Sequence, residues 1–115
     1  MTPERQLDAA LAAAATRTRI WWRDDDAGRD HPRLARLLAL AASRRAPLAL
    51  AVVPYWLDGP CVERVRATAA CNVLQHGIAH VDHAAGRAKK IELGGSADRG
   101  RLRHELQVGR SRLAA

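Results

Sequence analysis

Residues 47–54 read Pro-Leu-Ala-Leu-Ala-Val-Val-Pro. Six consecutive apolar residues, Leu48 to Val53, bounded by proline at each end, predict a strand buried on both faces, because a strand with one wet face alternates apolar and polar positions. Such a strand needs helices above and below it, and the chain supplies them on either side. Toward the N-terminus, Leu34, Leu37, Leu38 and Ala41 recur at helical spacing, with Arg33, Arg36 and Arg44 off that stripe, which predicts a helix over 32–45. Before it, Ile20, Trp21, Trp22 and Arg23 form a β-prone run that gives way to an acidic loop, Asp24, Asp25, Asp26, Ala27, Gly28. Thr2-Pro3-Glu4 is a capped helix start, and strong helix formers continue it to about residue 15. Toward the C-terminus, a loop over 55–60 leads to a helix over 61–70, then to a strand over 72–75 that ends at His76 and Gly77. A polar loop, a short segment around Ile91 and Leu93, and a last helix over 97–113 complete the reading.

The order is therefore α-β-α-β-α-β, with parallel strands joined by helical crossovers: an α/β protein of about three βα units. In such folds the loops after the strands collect on one face, so Asp24, Asp25 and Asp26 are expected near His76. Trp21 and Trp22 are neighbours, point to opposite faces of the sheet, and are both expected in the core.

Composition sets the limits. A chain of 115 residues, 48% hydrophobic and 27% charged, suits a single domain over 1–115 and excludes wholesale disorder. With no Phe and 3% aromatic residues, its core must be Ala, Leu and Val. The formal charge of +7 comes from arginines dispersed from Arg5 to Arg112 without stacking aromatics, so no specific nucleic-acid partner is expected. No stretch suits a membrane span or a secretory signal, which makes the cytoplasm the expected compartment. Cys61 and Cys71 match neither a disulfide framework nor a C-x-x-C motif and are expected to be structural.

Three adjacent carboxylates repel one another unless a cation sits among them. Downstream, His76-Gly77-Ile78-Ala79-His80 sets two imidazoles four residues apart, on one side of a turn if the loop is helical. Two His and one Asp make a facial set for Zn or a similar divalent ion, leaving positions open for water and substrate. The plainer alternatives are a solvated or helix-capping role for the aspartates, a packed strand-end role for His76, and exposed loop positions for His80 and His83. Tyr55 and Trp56, after the second strand, offer either a platform for a sugar ring or packing over the mouth of the fold. Glu92 is expected to be a surface charge, and His31 and His104 surface residues.

Arg-Asp-Asp-Asp-Ala-Gly at 23–28 and Gln-His-Gly-Ile-Ala-His at 75–80 resemble the two leading motifs of the polysaccharide deacetylase family, of the carbohydrate esterase family 4 type. The resemblance covers Trp21 to Leu93, with both motifs at strand ends. It implies a partial (β/α) barrel and a hydrolase of carbohydrate metabolism that removes N-acetyl or O-acetyl groups with the help of a divalent metal, most suitably Zn, with Co or Mn as substitutes. Carried across, Asp25 resembles the general base, and Asp26, His76 and His80 resemble the metal ligands. Asp24 and His83 take supporting positions behind them, and Tyr55 and Trp56 lie where substrate would rest.

Gly77 stands where the family usually carries a hydroxyl residue, and the family's later motifs, an Arg, an aromatic and a final His, have no counterpart after Leu93. Since a barrel of this type needs about 200 residues or more, the chain resembles its N-terminal portion. An isolated chain of this kind is expected to be incomplete or inactive, with an N-acetylated carbohydrate as the family's substrate and either a homo-oligomer or a C-terminal half completing the fold. Two further readings stand beside it. One is a catalytically degenerate deacetylase-like module that binds sugar, metal or a partner. The other is a Mg- or Mn-dependent D-x-D phosphatase or nucleotide-sugar transferase, which leaves the His pair unused.

Overall fold

The computed structural model describes residues 1–86 and 89–115. It is a mixed α/β structure in which three parallel strands, β1 (Trp22–Ala27), β2 (Leu48–Val52) and β3 (Cys71–Gln75), form an open sheet in the order β1-β2-β3. Helix α2 (Pro32–Arg44) connects β1 to β2, and α3 (Gly59–Arg66) connects β2 to β3. α1 (Pro3–Ala12) precedes the sheet, and α4 (Arg99–Ala114) closes the chain. Among the described residues no helix is long and apolar enough to cross a membrane.

All five residues of β2 are buried, as its unbroken apolar run requires. On one side Leu48, Leu50 and Val52 pack with Leu34, Leu38 and Ala41 of α2 and with Cys61 of α3. Ala49, Ala51 and Val53 are buried too. α4 packs against β3 and the 3-10 turn Pro54–Trp56 that follows β2. Gln75 fastens this corner: its Nε2 donates to the Leu106 carbonyl at 3.1 Å and to the Gly77 carbonyl at 3.1 Å. A Cβ at Gly109 would come within 2.8 Å of that same Nε2, so the helix seats closely only with glycine there.

Helix starts follow side-chain acceptors. His31 caps α2, its Nδ1 accepting the Arg33 amide, and Asp98 caps α4 through the Arg101 amide. Asp58 caps α3, which therefore begins at Gly59 and stops at Arg66 instead of spanning 61–70. α1 ends at Ala12, short of residue 15, and none of its residues is buried.

Two expectations about the first strand are corrected. It begins at Trp22 and continues through all three aspartates, because Arg23 and Asp24 find ladder partners in Ala49 and Leu50 of β2. Trp21 lies outside the ladder and is 67% exposed, with the Arg23 guanidinium over its ring. Trp22, the first paired residue, does pack on the core.

Candidate metal centre

The end of β1 is irregular. Between Asp24 and Ala27 the strand takes three steps while β2 takes two, from Leu50 to Val52, which is a β-bulge of one extra residue. Asp26 absorbs it in the left-handed region, with φ 62°. Asp tolerates that conformation better than most residues, yet it still costs energy relative to glycine. The bulge re-aims the Asp26 carboxylate across the end of β2 toward the loop after β3.

That loop, residues 76–80, is not helical. The His76 amide continues the sheet by donating to the Val52 carbonyl at 2.8 Å. Gly77 and His80 then both adopt positive φ, 58° and 60°. The turn nonetheless brings both rings to one carboxylate: Asp26 Oδ1 lies 2.9 Å from His76 Nε2 and 3.3 Å from His80 Nε2. The ring centroids are 5.9 Å apart.

Asp26, His76 and His80 are the group of three among the described residues whose ligand atoms gather within 4.8 Å of one another. Two imidazole nitrogens and one carboxylate oxygen are a donor set of the kind that can hold a divalent cation. The cluster lies between two open clefts, each of about 430 Å³. One is lined by the three aspartates with Arg29, His31 and Arg33, the other by His76 and His80 with Val81, Asp82, Lys90 and Leu93.

The other carboxylates separate in environment. Asp25 forms an ion pair with Arg23, two residues back on the same side of the strand. Nη2 of Arg23 also reaches His76 Nδ1 at 3.4 Å. A guanidinium only donates, so this contact leaves the proton of a neutral His76 on Nε2, directed at Asp26; holding a metal through Nε2 would require that proton to move to Nδ1 and Arg23 to turn away. Partial desolvation, then the charges of Asp25 and Asp26, raise the Asp24 carboxyl above its ordinary value.

Of the two aromatics, Trp56 belongs to this neighbourhood, its ring centroid 5.2 Å from that of His80 and 5.4 Å from the Arg29 guanidinium carbon. Tyr55 faces α4, with the Arg112 guanidinium over its ring. His83 is not at the cluster. Its Nδ1 lies 2.6 Å from the Glu92 carbonyl and its amide donates to the Ile91 carbonyl, bracing the loop downstream. Cys61 is buried and its thiol is pushed up to about 11, chiefly by desolvation, consistent with an inert core residue.

Two contributors escaped the sequence reading. Glu92 is not a free surface charge: its Oε1 accepts the amides of Ile78, Ala79 and His80. Its one signal was an acidic residue directly after Lys89, Lys90 and Ile91. Asp58 accepts the Asp30 amide at 3.0 Å and the Cys61 amide at 2.8 Å, and its own amide donates to the Gly28 carbonyl at 2.9 Å. It thereby pins the loop after β1 to the start of α3. Compared with known family models, with curated proteins and with solved structures, the chain matches none of them.

Proposed function

We propose that this chain carries the metal-binding half of a deacetylase-type site within a partial (β/α) barrel, acting on N-acetyl or O-acetyl groups of a carbohydrate. The observation that supports the reading is the convergence of Asp26 with His76 and His80 from opposite edges of the sheet. An open site of two imidazoles and one carboxylate favours Zn, with Co or Mn as substitutes, over the all-oxygen surroundings preferred by Mg. A bound ion supplies Lewis acidity at the acyl carbonyl.

The chain's own residues account for the rest of the half-site. Asp25, held by Arg23, takes a proton from the attacking water as oxygen adds to the acyl carbon. The carbon–nitrogen bond then breaks, acetate leaves and the amine is protonated. Trp56 gives the sugar an apolar face beside His80. The residue that protonates the amine is outside this set, so the isolated chain binds metal and turns over little or no substrate. A homo-oligomer or a further segment of a longer chain would complete it.

The test is elemental analysis of the purified, dialysed chain beside His76→Ala prepared identically. About one Zn, Co or Mn per wild-type chain, absent from the variant, supports the assignment and directs attention to N-acetylated sugars. Metal in neither protein overturns it and leaves the degenerate-module reading. Mg or Mn retained independently of His76 points to the D-x-D alternative.

A further inference from the structure

We infer that Glu92 is the positioning residue of the His76/His80 loop, and that the three amides it gathers form an anion nest that a small free carboxylate can fill in its place. The inference deepens the metal-site reading and rests on it wherever metal is the readout.

One oxygen, Glu92 Oε1, accepts three successive amides, from Ile78 at 3.0 Å, Ala79 at 2.7 Å and His80 at 3.0 Å. Successive amides turned toward a single point are an anion-binding arrangement. Here the positive φ values of Gly77 and His80 frame the run. Left without that acceptor, three converging donors would lose their shared partner and turn to water, and the loop would relax toward less strained backbone. His80, whose own φ is strained and whose amide is one of the three, would then leave Asp26.

The rest of the loop is built around this contact. A Cβ at Gly77 would lie 2.0 Å from Glu92 Oε2 and 2.9 Å from its Cδ, so residue 77 is glycine both for its φ and for the carboxylate lying on it. Glu92 is itself braced: Asp82 accepts the Ile91 amide at 3.0 Å, and His83 holds the Glu92 carbonyl. The missing hydroxyl at position 77 thus has a local reason. The space it would occupy belongs to Glu92.

The experiment compares wild type with Glu92→Ala, Glu92→Gln and Glu92→Asp, following amide hydrogen exchange at residues 78–80 by NMR and Co²⁺ binding by visible absorption. Gln keeps the reach and an acceptor oxygen, whereas Asp keeps the charge and loses a methylene. The expected result is loss of protection at the three amides in Glu92→Ala with β2 still protected, and Co²⁺ affinity weaker by about 10- to 100-fold. Glu92→Gln should stay near wild type, Glu92→Asp should fall below it, and formate should restore both readouts in Glu92→Ala in a saturable way while leaving wild type unchanged.

Unchanged protection in Glu92→Ala overturns the nest, and lost protection with unchanged Co²⁺ affinity overturns the positioning role. If Glu92→Ala does not fold, Glu92→Asp decides: its carboxylate stops a methylene short of the three amides, so undiminished protection at residues 78–80 in Glu92→Asp overturns the inference. Wild type that takes up no Co²⁺ overturns the metal reading instead. Amide exchange and the formate titration then decide alone whether Glu92 holds the loop.

Discussion

Oδ1 of Asp26, at the end of β1, lies 2.9 Å from Nε2 of His76, just past β3, although β2 runs between the two strands. Two strand spacings are about 9.6 Å, so the contact exists only because the bulge and the left-handed φ of Asp26 carry its carboxylate over the end of β2. Function and stability should therefore oppose each other at this residue. Asp26→Gly is expected to abolish metal retention while raising metal-free stability by up to about 1 kcal/mol, as backbone strain and carboxylate repulsion are relieved. Urea denaturation in chelator, beside elemental analysis, checks both; a destabilised variant would show that the aspartate side chain, not the ion, holds the bulge. His80→Ala should likewise lose metal, and Asp25→Ala should keep it.

Arg23 touches both Asp25 and His76 and so sets the proposed base against the proposed ligand. A guanidinium beside a cation site repels the ion, while its ion pair keeps Asp25 in place. Arg23→Gln should bind Zn²⁺ a few-fold to about tenfold more tightly at low ionic strength, with the gain shrinking in salt. Calorimetric titration at two salt concentrations measures this. Equal or weaker affinity would mean that Arg23 serves the ligand geometry more than it opposes the charge.

How far the sequence carried the fold can be judged from individual residues. The run from Leu48 to Val53 was legible because burial on both faces leaves no polar position to read otherwise, and the stripe Leu34, Leu38, Ala41 was legible by its period. The end of β1 was not, because adjacent aspartates look like loop while their backbones pair with β2 regardless of side-chain charge. Trp21 was misplaced because hydrophobicity indicates a preference for burial, not whether a neighbouring strand reaches that far. The two imidazoles were found by their spacing, though the helical turn that the spacing suggested is a loop with two left-handed residues. Glu92 acts on backbone amides twelve and more residues away, which no local pattern marks, whereas Asp58 ahead of Gly59-Pro60 carried a helix-cap signal that went unread.

Asp58 makes stability depend on acid. Its carboxylate accepts the Asp30 and Cys61 amides, which lower its pKa from the ordinary 3.8, with Arg29 nearby adding to the effect. The unfolded chain therefore holds more protons than the folded one just below pH 3.8, and stability falls with pH through that window. The contribution is complete above 3.8 and gone once pH passes below the lowered value. Asp58→Ala should be less stable at neutral pH and should show a shallower loss on acidification, a comparison made by urea denaturation at stepped pH. Parallel curves for the two proteins would remove Asp58 from the account.

Gly28 is buried beneath the 3-10 turn, where a Cβ would lie 2.7 Å from Trp56 Cβ and 3.2 Å from both the Trp56 backbone carbon and the Val53 carbonyl oxygen. Backbone on one side leaves little room to yield. Gly28→Ala is expected to cost about 1–3 kcal/mol, and to weaken metal binding by shifting Trp56 against His80. A neutral result in urea denaturation would mean that the turn is free to move.

The strand order gives the cluster a meaning beyond chemistry. Its members come from the end of β1 and from the loop after β3, so a chain that has zipped only one of the two ladders would hold only part of the proposed ligand set. An ion that binds only when both ladders are complete adds its binding free energy to the fully formed sheet alone. It would sharpen the cooperativity of unfolding as well as raise its midpoint. In that sense the bulge at Asp26 turns a three-stranded sheet with two open edges into a closed circuit, latched at the last point where its outer strands can meet.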